Sequence, residues 1–154
     1  MMMLRAALAL LLIFPTACQA ADHLPVSENG LALVPLTITT AQGKAHRFTV
    51  EVAASEAQQA RGLMFRATLA PDAGMIFPMS PPRYASFWMK NTIIPLDMIF
   101  IRPDGRIARI AAKTKPFSLL PVESGEPVSA VLEIAGGRAA QLGLAPGDKV
   151  VWKR

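Results

Sequence analysis

The sequence predicts a mainly β domain: a β-rich α+β fold, built as a single-domain antiparallel sandwich or barrel with two short helices. Three observations carry this. Short apolar or alternating runs recur at hairpin spacing between residues 33 and 152. Gly, Pro and Asp punctuate them, as in "AQGK", "RPDG" and "APGD". Only two stretches carry helix start and stop signals, and both are short. A chain of 154 residues, 52% apolar and 18% charged, suits one domain with a sizeable core and excludes a disordered chain.

Taken in order, "LVPLTITT" (33–40) is β-branched and extended. "AHRFTVEV" (45–52) alternates, with His46, Phe48, Val50 and Val52 on one face and Arg47, Thr49 and Glu51 on the other. Gly43 between them predicts a hairpin, and His46 reads as a core residue at a strand end. "SEAQQARGLMFR" (55–66) opens on Ser55 and Gln58, the S-x-x-Q capping box, and Gly62 is expected to end this helix in the left-handed conformation. Residues 67–73 read as loop. "GMIFPM" (74–79) reads as a strand, and "SPPRY" (80–84) as a loop because Pro81 and Pro82 cannot donate to a central ladder. "ASFWMKN" (85–91) reads as a further strand. "LDMIFI" (96–101) and "RIARIAA" (106–112) flank a Pro-Asp-Gly turn. Residues 113–127, with three prolines, read as a long surface loop. "VSAVLEIA" (128–135) is a strand and "GGRAAQLG" (136–143) a helix stopped by Gly143, with Pro146 preventing its resumption. The last strand is 149–152, giving about eight strands.

The first twenty residues stand apart. "MMMLRAALALLLIFPTACQA" has Arg5, an apolar stretch from Ala6 to Phe14, Pro15, and then small residues, the pattern of a secretory signal. The stretch is shorter than the roughly 20 residues that cross a bilayer, so no transmembrane segment is expected in the mature chain. The expected organisation is signal peptide 1–20, N-terminal tether 21–32 and domain 33–154. Cleavage after Ala20 would discard Cys18, the one cysteine; the alternative is a lipoprotein acylated on Cys18. Either way the expected location is outside the cytoplasm, periplasmic or secreted. Loss of Arg5 takes the net charge from +5 to 15 − 11 = +4. The basic residues are scattered singly, so no nucleic-acid partner is expected. An anionic envelope surface is the more natural electrostatic partner, although a modest charge also serves solubility.

The polar constellation of interest is Arg61, Lys90, Asn91, Asp97 and Glu133. "FWMKNTIIPLDMIF" (87–100) sets Lys90, Asn91 and Asp97 into an apolar run, and "AVLEIA" does the same with Glu133. The run itself reads as two buried strands joined by a short corner at 92–95. Buried charges call for partners, so Lys90 is expected beside Asp97 and Arg61 beside Glu133. Such pairs could simply fix strand register. They could instead line a cleft, with Lys90 and Asn91 as donors to an anionic or carbonyl ligand and Asp97 orienting Lys90. Acid/base catalysis by Asp97, Glu133 or Lys90 is a third reading. The chain has no H-E-x-x-H, CxxC, P-loop or dinucleotide fingerprint, and no catalytic residue or cofactor is assigned. "AGGRAA" could offer N–H groups to an anion. Met64, Met75, Met79, Met89 and Met98 raise soft-metal handling, against which stands methionine's ordinary role as core filler.

The strings "RGLMFR", "GMIFPM", "FWMKNTIIPLDMIFI" and "VLEIAGGRAAQLGLAPGD" together resemble the domain of unknown function 192 family over roughly residues 45–152. The resemblance implies a compact β-rich domain, often exported, and supplies no reaction. The expectation is therefore an exported, non-enzymatic module that binds an unknown ligand or envelope protein. A small hydrolase or lyase acting on an envelope saccharide or peptide is the alternative, and a metal-handling domain the third. Whether it is an enzyme stays open at this point, leaning against.

Overall fold

The computed structural model describes residues 24–153. The signal-peptide expectation for 1–20 falls outside them. Alternation does its expected work in β1 (Leu33–Thr39) and β2 (Ala45–Val52), where Val34, Leu36, Ile38, His46, Phe48 and Val50 are buried on one side. The two strands pair antiparallel around a turn in which Gly43 takes φ 82°. Helix α1 (Glu56–Arg61) follows, then β3 (Ala73–Phe87), β4 (Leu96–Ile101), β5 (Ile107–Thr114), β6 (Val122–Ala135), α2 (Arg138–Leu142) and β7 (Lys149–Trp152).

The seven strands form one sheet in the order β5-β4-β6-β3-β2-β1-β7, curled into a half-barrel. Its edges approach each other at one point. Arg106 bridges Lys149, and the Ile107 N–H donates to the Asp148 carbonyl at 2.9 Å. Two apolar clusters lie on opposite faces of the sheet. The first contains Ile38, Val50, Ile76, Ile99, Leu132 and Ile134, with Ala139 of α2 and Leu144 packed in. The second contains Met75, Phe77, Met98, Phe100 and Val131 from the strands, with Leu63 and Met89 from outside them.

The mainly β class with two short helices stands, with several corrections of detail. The sheet is not wholly antiparallel: β2 and β3 run parallel. The cause is the connection 53–72, which carries α1 and returns the chain to its starting end, as a parallel pair requires. The strand count is seven, because 74–79 and 85–87 belong to the single strand β3. The prolines are tolerated because they fall in a register break. Pro78 pairs with Ala130 and Arg83 with Val128, so Pro81 and Pro82 stand opposite no ladder partner. The Ser80–Pro81 bond in that break is cis. The expected loop 113–127 shrinks to 115–121, since Val122 and Glu123 pair with Phe87 and Ser86. Helix α1 runs from the Ser55 cap to Gly62, the bounds expected of it. Its capping box forms: the Ser55 Oγ accepts from the Gln58 N–H at 3.2 Å, and the Gln58 Oε1 accepts from the Ser55 N–H at 2.9 Å. Gly62 ends the helix at φ 49°, ψ −134°, a region open to glycine but outside the left-handed helical well expected of it. Gly143 does cap α2 in the left-handed well.

One consequence of the register organises the site. β3 leaves the sheet at Phe87, opposite Val122, whereas β4 enters it at Leu96, opposite Ala135 at the far end of β6. The segment 88–95 must therefore run back along the sheet. Its reach from 87 to 96 is about 30 Å, and a straight β6 would be about 43 Å long. The long strands bend at the two register breaks of β3, which shortens the span. Residues 115–121 make the same return from Thr114 to Val122. The buried Met89, half-buried Ile94 and buried Leu63 show that these segments roof the second cluster.

Candidate functional site

The five polar residues singled out by the sequence do not come together. Asp97 points into the first-cluster side of β4, between Ile99 and the Ile134 neighbour on β6, and is fully buried. Its carboxylate is consumed by backbone donors. Oδ1 accepts from the Lys113 N–H at 2.7 Å and the Gly137 N–H at 2.8 Å, and Oδ2 accepts from the Ala139 N–H at 2.8 Å. The anion held by the glycine pair ahead of α2 is thus the chain's own Asp97. The Gly137 N–H and the α2 N-terminal N–H groups lack intrahelical partners, and a carboxylate satisfies them better than a neutral acceptor.

The expected Lys90–Asp97 pair does not form. The strand that was to carry Lys90 ends at Phe87, and Lys90 stands exposed on the returning segment with its ammonium 5.1 Å from the centre of the Trp88 ring. The corner accordingly begins at Trp88, not at 92. Asn91 is half-buried and takes φ 55°. Its amide donates to the Met64 sulfur at 3.8 Å and its carbonyl accepts from the Phe65 N–H at 2.8 Å, so it pins two segments together.

The expected Arg61–Glu133 pair also fails. Arg61 is exposed at the end of α1, while Glu133 is 4% exposed within β6. Glu133 lies on the second-cluster face, directly opposite Met75 of β3 and Met98 of β4. Met75 in turn stands beside Glu51 of β2, so a row Glu51–Met75–Glu133–Met98 crosses four strands. Glu51 ion-pairs with Arg66 at 2.5 Å. Burial among thioethers instead pushes the Glu133 carboxyl up to about 8, so it is protonated near neutral pH. Asp97 and Glu133 face opposite sides of the sheet, so they form no acid/base couple across a cleft. Among the described residues no three His, Cys, Asp or Glu side chains converge as metal ligands. Met75, Met79, Met89 and Met98 all pack in the second cluster.

What the structure does assemble is a groove of about 400 Å³ between the end of α1, the bent arm of β3 and the returning segment. Leu63, Phe77, Met79 and Phe87 line its floor, and Arg61, Arg83, Tyr84 and Trp88 its walls. No Asp or Glu contributes to the lining. Tyr84 and Trp88 are 68% and 50% exposed. Of the predicted site residues only Arg61 borders this groove, with Lys90 reaching it through Trp88. Arg83, Tyr84 and Trp88 went unrecognised because alternation places no exposed aromatic. The available signal was "PPRYASFW" itself: two large rings and a cation next to a proline-broken stretch of strand.

Beside the groove the roofing segments are laced by backbone bonds. Phe65 N–H to Asn91 carbonyl, Phe117 N–H to Thr92 carbonyl and Met89 N–H to Ser118 carbonyl measure 2.8, 3.1 and 2.9 Å. Phe65, Asn91 and Phe117 all hold positive φ at these junctions, which costs a non-glycine residue about 1 kcal/mol or more each.

Comparison with known proteins follows the same outline. None of the curated proteins compared matches the chain. A crystal structure of a protein of unknown function from Novosphingobium aromaticivorans DSM 12444 superposes with a TM-score of 0.80 at 48% identity, covering 87% of this chain and 94% of that one. A second, from Sinorhizobium meliloti 1021 and provisionally assigned as a transcription regulator, gives 0.78 at 42% identity, covering 79% and 95%. The DUF192 family model, described as uncharacterized ACR, matches residues 37–152. That match takes in the second cluster's buried residues, all of the first cluster's but Val34 and Leu36, the Asp97 cap, Glu133 and the whole groove, and the chain belongs to the DUF192 family.

Proposed function

We propose that this protein is a non-enzymatic binding module of the bacterial envelope whose groove takes an anionic ligand with an apolar part. One observation carries the reading. Arg61 and Arg83 wall an apolar-floored groove that has no acidic residue in its lining, and neither guanidinium has an ion-pair or hydrogen-bond partner among the described residues. Guanidinium groups left unpaired beside apolar surface match a phosphate or carboxylate borne on a hydrocarbon body. The leader-like residues 1–20 support an envelope location. The hydrolase or lyase reading loses its support, since the two carboxylates it needs are separated by the sheet and neither lines the groove.

The test is a titration with hexyl phosphate, which carries both features, against hexanol and inorganic phosphate. Binding should change the emission of Trp88, assigned by Trp88→Phe. Arg83→Ala should weaken it about tenfold or more, the value of one charge-assisted pair. An identical response to hexanol, or none to hexyl phosphate, refutes the reading.

A further inference from the structure

The groove opens onto a face whose composition is unusual for a protein surface. The segments 61–66, 83–93 and 115–121, which wall the groove and roof the second cluster, contain no Asp or Glu; at their margin the Glu123 carboxylate of β6 accepts from the Ser86 hydroxyl at 2.8 Å. They carry Arg61, Arg83, Lys90 and Lys115, all exposed, and Arg66, which is held by Glu51. They also present large apolar side chains to solvent. Phe65 is 63% exposed, Phe117 61%, Leu119 67% and Leu120 76%, beside Trp88 and Tyr84. The backbone bonds given above hold these segments to one another, and Trp88, Leu119 and Pro121 border a common depression. Scattered single hydrophobes on a surface need no account, but a contiguous set does. Positive φ at Phe65 and Phe117 shows that backbone strain is spent on loops that leave their rings in water.

We infer that this face docks onto an anionic phospholipid bilayer, with Phe65, Phe117, Leu119 and Leu120 entering the headgroup–acyl boundary and Arg61, Arg83, Lys90 and Lys115 meeting lipid phosphates. The inference rests on the groove's reading as an anion site and names the source of its anion: a headgroup presented at a surface. Charge and apolarity point there together. Aliphatic tips flanked by cations are the composition of interfacial segments, and Trp and Tyr suit the headgroup level because one end of each ring system is apolar and the other polar. A second copy of the chain is a poor occupant, because an isologous contact would set cation against cation. A nucleic-acid backbone would use the cations but has no use for exposed Leu119 and Leu120.

Co-sedimentation of the protein with vesicles decides it. Vesicles of phosphatidylglycerol mixed equally with phosphatidylcholine should bind, pure phosphatidylcholine should bind much less, and added salt should release the protein. Removing two cations in Arg83→Ala/Lys90→Ala should lower partitioning about 20- to 30-fold, at about fivefold per charge near an anionic surface. Leu119→Ser/Leu120→Ser should lower it about tenfold while leaving hexyl phosphate binding in the groove intact. Both leucines are largely exposed, so the fold should persist by circular dichroism. Loss with the cation variant but not with the leucine variant overturns the inference, since it would reduce the effect to surface charge. Hexyl phosphate binding without vesicle binding overturns it and leaves the groove's anion reading standing. Failure of both removes the two together. Equal, leucine-independent binding of duplex DNA would overturn it in favour of a nucleic-acid face.

Discussion

Glu133→Gln should change how stability depends on pH. The side chain sits between Met75 and Met98 with its carboxyl raised from 4.5 to about 8 by burial. The native state therefore keeps a proton that the unfolded chain releases above about 4.5. Where the native state binds more protons, stability falls as pH rises. The favourable contribution is complete below pH 4.5, shrinks by about 1.4 kcal/mol per pH unit, and is gone once pH passes about 8. Across that window the loss is on the order of 5 kcal/mol, a large part of the 5–15 kcal/mol typical of a domain. Glutamine keeps the shape of the neutral acid and cannot ionise. Urea unfolding of both proteins across this range should give curves that nearly coincide at the acid end and diverge with rising pH, the glutamine variant being the more stable at the alkaline end. Other carboxylates titrate alike in both proteins, so the difference isolates Glu133. Parallel curves would refute the reasoning, because they would mean that Glu133 is already ionised in the fold.

Three further outcomes are expected. Asp97→Asn should destabilise the fold by roughly 2–4 kcal/mol in urea unfolding, because a neutral amide cannot serve three backbone donors as a carboxylate does. Lys90→Ala, by contrast, should shift the unfolding free energy by no more than about 0.5 kcal/mol, since the side chain is exposed and its ammonium stands over the Trp88 ring at the surface. Gly136→Ala should cost about 1–3 kcal/mol: a Cβ there would lie 2.8 Å from both the Pro95 carbonyl oxygen and the Pro95 Cβ, and the Gly136 N–H to Pro95 carbonyl bond at 2.9 Å ties the two together.

How far the sequence carries the fold depends on the range of the forces involved. Alternation in 45–52, the capping box at Ser55 and the Gly143 cap are local patterns, and each appears as read. The register break that lets β3 pass through Pro81 and Pro82 depends on β6, some fifty residues away, and no local pattern announces it. The site suffered from the same limit. The faces of Asp97 and Glu133 were legible from period-two alternation: Asp97 shares a side with Ile99 and Glu133 with Val131. Their partners were not, because a buried carboxylate can be satisfied by main-chain N–H groups as well as by a cation. Asp97 took the first course, and Glu133 stays protonated and so needs no counter-ion. Arg83, Tyr84 and Trp88 stood in plain view as letters. Their convergence depends on the return of residues 88–95 over the sheet.

The sheet order places β7, the last four-residue strand, against β1, the first. Trp152 pairs with Leu36 and Lys149 with Thr39, while the turn ahead of β7 is also the point at which the far edge at Ile107 is fastened. A chain that orders its strands in sequence therefore cannot finish this fold until β7 is available. Until then β1 offers an unpaired edge to any other extended chain it meets. The few residues of β7 act as the latch of the domain, and a variant that loses them should turn a folding problem into an aggregation problem.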